Sequence, residues 1–127
     1  MSFTIDTASP VAIYRQIVDQ VIYRIAAAEL RDGDQLPSIR SLSTDLRINP
    51  NTVIKAYREL ELLGFAASSH GRGYFVSAGG ADPARAEWRR QALESLRRAI
   101  LDGLAMGITP EVLRTTVDKA LAEGGAR

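Results

Sequence analysis

Four of the five prolines in this chain directly follow a residue able to cap a helix: Ser9-Pro10, Asn49-Pro50, Asp82-Pro83 and Thr109-Pro110. A side-chain oxygen at the cap binds a free N–H of the first turn, and proline just inside loses nothing by lacking its own. Each pair therefore predicts a helix start, which commits most of the chain to α structure. The first pair opens "VAIYRQIVDQVIYRIAAAEL", where Tyr14, Ile17, Val18, Val21, Ile22 and Ile25 share one helical face. The acidic turn "RDGD", with Gly33 as breaker, is expected to end it. A shorter helix follows Pro37 in "SIRSLSTDL", with Ile39, Leu42 and Leu46 inward. The third begins at "NPNT" and carries a buried stripe of Val53, Ala56, Tyr57, Leu60 and Leu63 before Gly64 stops it.

After Gly64 the period changes. "FAASS" and "GYFVSA" are short segments able to pair as a hairpin around "HGRG". Two strands alone are marginal in water, so this ribbon is expected to pack on the three helices. Together they make a winged helix-turn-helix, assigned to residues 1–78. The small residues of "SAGGADP" read as a flexible boundary. Residues 79–127 then form a two-helix extension, giving a mainly α fold with one small β-hairpin. In the extension Trp88, Ala92, Leu96, Ala99 and Ile100 share one face, as do Leu113, Val117, Ala120 and Leu121. Two such helices cannot enclose a core by themselves, so they must cover another surface. Trp88, Ala92, Leu96, Ile100, Leu113, Val117 and Leu121 are therefore assigned to dimerisation with a second copy.

The absence of cysteine excludes disulfides, thiolate metal sites and thiol catalysis. With a single histidine on a loop, no glycine-rich phosphate loop and no evident carboxylate pair, an enzyme is a poor reading, and no cofactor or metal is expected. The first ten residues have no basic region or apolar core, and no later run is apolar enough for a bilayer. A cytoplasmic protein without membrane partners is the expectation. The net charge of +1 argues only weakly for nucleic acid, but its distribution argues more strongly. Acids gather in "ELRDGD", whereas "LPSIRSLSTDLRINPNTVIKAYR" carries Arg40, Arg47, Lys55 and Arg58 against Asp45 alone.

In a helix-turn-helix the second helix of the pair enters the major groove with its N-terminal residues toward the bases. Asn49, Asn51, Thr52 and Lys55 stand at that tip, and asparagine can bond both edge groups of adenine. In serial order, "IYRQI", "GDQLPSIRSL", "NPNTVIKAYRELELLG" and "GRGYFV" resemble the winged-helix domain of the GntR family across residues 10 to 77. The short helical tail is similar to that of the YtrA subfamily. The resemblance implies a homodimeric transcription regulator that binds an inverted-repeat operator in double-stranded DNA, most simply as a repressor, with transporter genes as its targets. It leaves a small-molecule effector unassigned.

By matching position, the resemblance implies that Arg40 reaches bases or phosphates and Ser38 a backbone phosphate. It gives Asn49, Asn51 and Thr52 the groove, and His70 and Gly71 the minor groove at the wing tip. Ile54 stands where many relatives place a basic or amide residue, which moves the cationic contact to Lys55, with Arg58 second. Arg72, at the ribbon tip, suits a phosphate. Plainer readings stand beside these: Arg40 as a surface partner of Asp45 or Glu59, Thr52 as a first-turn polar residue, His70 and Arg72 as solvated loop side chains. The competing function is a winged-helix protein-interaction module without DNA binding, for which the near-neutral charge is the argument.

Overall fold

The computed structural model describes residues 2–125, so residues 1, 126 and 127 of the two ranges above lie outside the described residues. Five helices and one hairpin follow in order: α1 (Ile13–Ala26), α2 (Ile39–Leu46), α3 (Pro50–Leu62), β1 (Ala66–Ser69), β2 (Gly73–Val76), α4 (Ala81–Ala105) and α5 (Pro110–Gly125). The chain divides into two compact units, one ending at Trp88 and one beginning at Arg89. Helix α4 gives its first two turns to the former and the rest to the latter. None of the described helices is long and apolar enough to cross a membrane.

The first unit is built around α1 and α3. Ile17, Val18, Val21, Ile22 and Ile25 of α1 and Val53, Ala56, Tyr57 and Leu60 of α3 are buried, as their i, i+3, i+4 spacing requires. Leu42 of α2 joins them with Leu36, Phe65, Ala66 and Val76. Tyr57 is fully buried, and its hydroxyl donates to the Pro37 carbonyl at 2.7 Å. Burial pushes its phenol well above the ordinary value. Leu63 departs from the expected stripe: α3 ends at Leu62, Leu63 is half-exposed in the cap, and Phe65 takes the inward place. Gly64 breaks the helix as expected, at φ +86°.

Only two of the four expected starts match. Asn49 and Thr109 immediately precede their helices, and the Thr109 hydroxyl accepts from Val112 N at 3.2 Å. α1 begins at Ile13 rather than at Pro10: Ser9 Oγ accepts from Val11 N at 3.1 Å, but the chain there forms a turn, and Ala12 precedes the helix without a side-chain cap. α4 begins at Ala81, one residue before Asp82, whose carboxylate instead meets Arg85 at 3.0 Å. Pro83 still lies in the first turn, where no N–H is required.

The end of α1 also falls early. The helix stops at Ala26 with Ala28 in the left-handed region at φ 60°, and Leu30 N returns to the Arg24 carbonyl at 3.0 Å. Burial of Leu30 holds this turn, so an alanine takes a conformation that glycine would adopt without strain. The "RDGD" stretch has another task. Gly33 N donates to Val76 O, Val76 N to Asp34 O and Leu36 N to Tyr74 O, at 2.8–2.9 Å, so residues 34–36, entered from a turn at Gly33, flank β2 as a third extended segment. β1 and β2 pair antiparallel with Ala66 opposite Val76 and Ser69 opposite Gly73.

Nor is "SAGGADP" loose. Asp32 accepts from Gly79 N at 3.1 Å, and Gly80 is buried against Phe65 and Ile25, where a Cβ would sit 3.6–3.7 Å from their side chains. Ala84 is fully buried, and Arg85 Nε donates to the Ala26 carbonyl at 3.1 Å. Before α1, an extended arm lies along that helix. Gln16 and Gln20 each exchange two hydrogen bonds with its backbone, at Asp6 and Thr4, and Arg24 donates to the Ser2 carbonyl. Phe3 is buried beneath the Arg24 guanidinium, 4.3 Å from the ring centroid.

In the second unit no residue of α5 is buried. Leu93, Leu96, Leu101, Leu104, Val112 and Leu121 are 42–66% exposed, a large apolar surface for so short a segment.

Candidate nucleic-acid interface

The two helices of the reading motif are each capped by a polar side chain. Ser38 Oγ accepts from Ser41 N at 3.0 Å at the start of α2, which leaves Arg40 in its first turn, exposed. Neither Asp45 nor Glu59 pairs with Arg40: Glu59 meets Arg15 at 3.5 Å, and Arg40 forms no ion pair among the described residues. The surface-pair reading of Arg40 is thereby corrected. Its charge faces solvent.

The turn to α3 runs through Arg47, in the left-handed region at φ 55°, whose N–H bonds the Thr44 carbonyl at 3.2 Å. Asn49 then caps α3: its Oδ1 accepts from Asn51 N at 2.8 Å, and Thr52 N donates to the Asn49 carbonyl. This engagement divides the two asparagines. Bidentate recognition of adenine needs an amide oxygen and nitrogen turned together toward the base edge, and the cap bond holds the Asn49 oxygen toward the end of its own helix. Asn51 is exposed, and its amide has no partner among the described residues. Replacing Asn49 by alanine is expected to cost about 1 kcal/mol of stability in urea unfolding, and replacing it by glycine only a few tenths. Equal stability of wild type and the alanine variant would mean the cap contributes nothing.

Thr52 is half-buried, Lys55 and Arg58 are exposed, and Ile54 is half-buried. A shallow groove at this tip is lined by Ile13, Tyr14, Asn49, Asn51, Thr52 and Lys55. Tyr14 was legible only as a core residue, and its place beside the tip comes from how α1 crosses α3.

The wing is the β1–β2 connection. Ser69 accepts from Arg72 N at 2.9 Å, with Gly71 at φ +66°, so His70, Gly71 and Arg72 project at the tip and are exposed. Gln35 Nε2 donates to the Arg72 carbonyl at 2.8 Å and lies 3.3 Å from where a Cβ on Gly73 would stand. A side chain at Gly73 would meet that brace and also adopt a strained φ of +103°. Gln35 sits just after the acidic turn, where no periodicity marks it. Glu61 steadies the tip-side half of β1 by accepting from the Ser68 N–H and hydroxyl at 3.3 and 3.0 Å.

Ser38, Arg40, Asn49, Asn51, Thr52, Lys55 and Arg58 thus lie on the α2–turn–α3 segment, and His70, Gly71 and Arg72 on the ribbon tip. Of the residues expected at a dimer surface, Trp88 packs on Tyr23 with ring centroids 6.0 Å apart and stays 44% exposed. Ala92, Leu96, Ile100, Leu113, Val117 and Leu121 are all partly or fully exposed. Ile100, Leu104, Leu113 and Val117 line an apolar groove between α4 and α5, flanked by Arg114 and Asp118.

The family model for bacterial regulatory proteins of the gntR family matches residues 13–76, from the first residue of α1 to the last of β2. The chain is 35% identical over 118 residues to the HTH-type transcriptional regulator YhcF of Bacillus subtilis, covering 89% of this chain and 92% of that one. It is 34% identical to the HTH-type transcriptional repressor YtrA of the same organism, over 94% and 92% of the two chains. Among solved structures, YtrA from Sulfolobus acidocaldarius, a GntR-family transcription factor, superposes with a TM-score of 0.58 at 39% identity, over 78% of this chain and 97% of that one. An exposed, capped reading helix beside a braced wing, matched by the family model over residues 13–76 and by relatives over most of the chain, makes this chain a DNA-binding transcription regulator of the GntR family.

Proposed function

We propose that the chain acts in the cytoplasm as a homodimeric repressor that occupies an inverted-repeat operator, with residues 1–78 as reader and 79–127 as dimerising tail, the first residues of the tail, to Trp88, packing on the reader. The observation that carries the DNA-reading part is the pair of free groups at the motif: the Arg40 guanidinium and the Asn51 amide are exposed and unengaged among the described residues. The apolar surface of the tail supports the dimer, since monomers rarely leave such a patch in water. A second copy's tail is the occupant we assign to the α4–α5 groove. Two-fold symmetry in the protein then calls for two-fold symmetry in the operator. Repression and control of transporter genes follow the resemblance to YtrA, whose B. subtilis homologue carries the name repressor.

Within the interface Arg40 and Asn51 read bases, whereas Lys55 and Arg72 neutralise phosphates, aided by Ser38, Thr52, Arg58 and the wing residues His70 and Gly71. Base-edge contacts discriminate by about 1–3 kcal/mol each, while phosphate contacts set affinity and its salt dependence. The test begins with selection of bound sequences from random duplex DNA, which is expected to return an inverted repeat. Salt titration of that duplex and a scrambled one by fluorescence anisotropy follows. Arg40→Ala and Asn51→Ala should weaken specific binding and spare the scrambled duplex. Lys55→Ala and Arg72→Ala should weaken both and flatten the log K against log [salt] slope by about 0.9 per lost contact. Equal loss on both duplexes with a flatter slope for Arg40→Ala would make Arg40 a phosphate clamp. Absence of any salt-sensitive binding by the wild type would return the chain to the protein-interaction reading.

A further inference from the structure

Lys55 stands four residues before Glu59 on α3, the spacing at which a lysine and a glutamate on one helix meet. They do not pair. Glu59 Oε1 lies 3.5 Å from Nη2 of Arg15 on α1. Lys55 Nζ lies 4.1 Å from the centroid of the Tyr14 ring and takes part in no ion pair among the described residues. The Arg15 guanidinium is itself 5.5 Å from that ring. Two adjacent residues of α1 therefore engage two residues one turn apart on α3. The difference matters for charge: an ammonium held over an aromatic face keeps its full charge and free N–H donors, whereas one held by a carboxylate is neutralised locally.

We propose that Tyr14 and Arg15 are positioning residues for DNA binding: Tyr14 holds the Lys55 ammonium at the tip of α3, and Arg15 keeps Glu59 from drawing it away. Lys55 is thus presented to the duplex as an unneutralised cation beside Asn49, Asn51 and Thr52. The inference rests on the reading of Lys55 as a phosphate contact. Without the ring, Lys55 is free to swing along the helix toward Glu59. Without Arg15, Glu59 is free to receive it.

The full-length protein is titrated with salt on the selected operator duplex, with circular dichroism and thermal unfolding recorded for every variant. Lys55→Ala is expected to flatten the salt slope by about 0.9 per protomer, so that a fourfold rise in salt costs about 3.5-fold less affinity per lost contact. Arg15→Ala and Tyr14→Leu should each flatten it similarly, although neither removes Lys55. Tyr14→Phe, which keeps the ring, should retain the wild-type slope. Arg15→Ala combined with Glu59→Gln should regain it, a rescue that a structural defect at Arg15 would not permit. Tyr14 also packs on the core, so if Tyr14→Leu unfolds, the half-exposed Arg15 and its double variant carry the test. If Lys55→Ala leaves the slope unchanged, the phosphate reading fails and this inference with it. If Lys55→Ala flattens the slope but folded Arg15→Ala and Tyr14→Leu do not, Lys55 needs no positioning and the inference alone is overturned. A flattened slope in Tyr14→Phe would make the tyrosine hydroxyl the contact, and failure of Glu59→Gln to rescue would make Arg15 one; either outcome overturns the corresponding half.

Discussion

A chain ended after Trp88 is expected to be a folded monomer that binds operator 10²–10⁴-fold more weakly than the full-length protein. The position of the cut follows from the packing. Ending at Gly80 would remove Ala84, which is fully buried, and the Arg85 bond to the Ala26 carbonyl, so lost affinity would be confounded with a damaged reader. Ending after Trp88 keeps every buried apolar residue of the core and discards the exposed leucines of α4 with all of α5. Loss of affinity then reports linkage: once one reader is bound, the second binds at an effective concentration set by the dimer, and that advantage accounts for the stated factor. Sedimentation at micromolar protein measures the oligomer, and anisotropy the affinity. A truncated chain that stays dimeric would move the dimer interface into the reader. A monomer with undiminished affinity would mean that operator occupancy needs only one reader.

Tyr57→Ala is expected to cost about 3–5 kcal/mol, a large fraction of the total stability of a domain this size. Tyr57 is fully buried, with its ring edge-on to Tyr74 at 5.1 Å, so truncation opens a cavity at the centre of the reader. Tyr57→Phe isolates the hydroxyl and should cost about 1–2 kcal/mol, because the Pro37 carbonyl loses its donor. Pro37 immediately precedes the Ser38 cap of α2, so the phenylalanine variant should also lose discrimination through Arg40 while keeping its salt slope. Alkali gives a second readout. The unfolded phenol ionises near pH 10, whereas burial raises the folded value, so the native state keeps its proton longer. Stability from this group is fully present below about pH 10 and falls above it, by up to ~1.4 kcal/mol per pH unit. Urea unfolding between about pH 8 and pH 11 should show that fall in the wild type and a smaller one in Tyr57→Phe. Identical curves would mean that the phenol is as ionisable folded as unfolded.

How much of this was legible in sequence depends on the kind of force at each position. The stripes of α1 and α3 were legible because burial selects residue type at helical period, and Asn49-Pro50 because cap and first-turn proline are chemically distinctive. The left-handed turn at Ala28 was not, since alanine carries no local signal for it and the distant burial of Leu30 imposes it. "RDGD" read only as an acidic turn because the sheet bonds made by Gly33, Asp34 and Leu36 are made by backbone alone. At the interface, the cap role of Asn49 was visible. The partition of Lys55 and Glu59 between Tyr14 and Arg15 was not, because it depends on two helices crossing.

The arm along α1 works as a vernier. Its rungs join Asp6 to Gln16, Thr4 to Gln20 and Ser2 to Arg24, so two residues of extended chain answer four residues of helix at each step. Two extended residues advance about 6.6 Å and four helical ones about 6.0 Å, a mismatch of ~0.6 Å per rung that flexible glutamine and arginine side chains absorb. The error accumulates, so such a ladder holds for only a few rungs before the scales lose register, and beyond Asp6 the chain does leave the helix in a turn. Because the rungs grip peptide groups and Phe3 is the one buried side chain among the arm's described residues, the pitch of α1 sets how long the arm can be, while most of the arm's sequence is left free to vary.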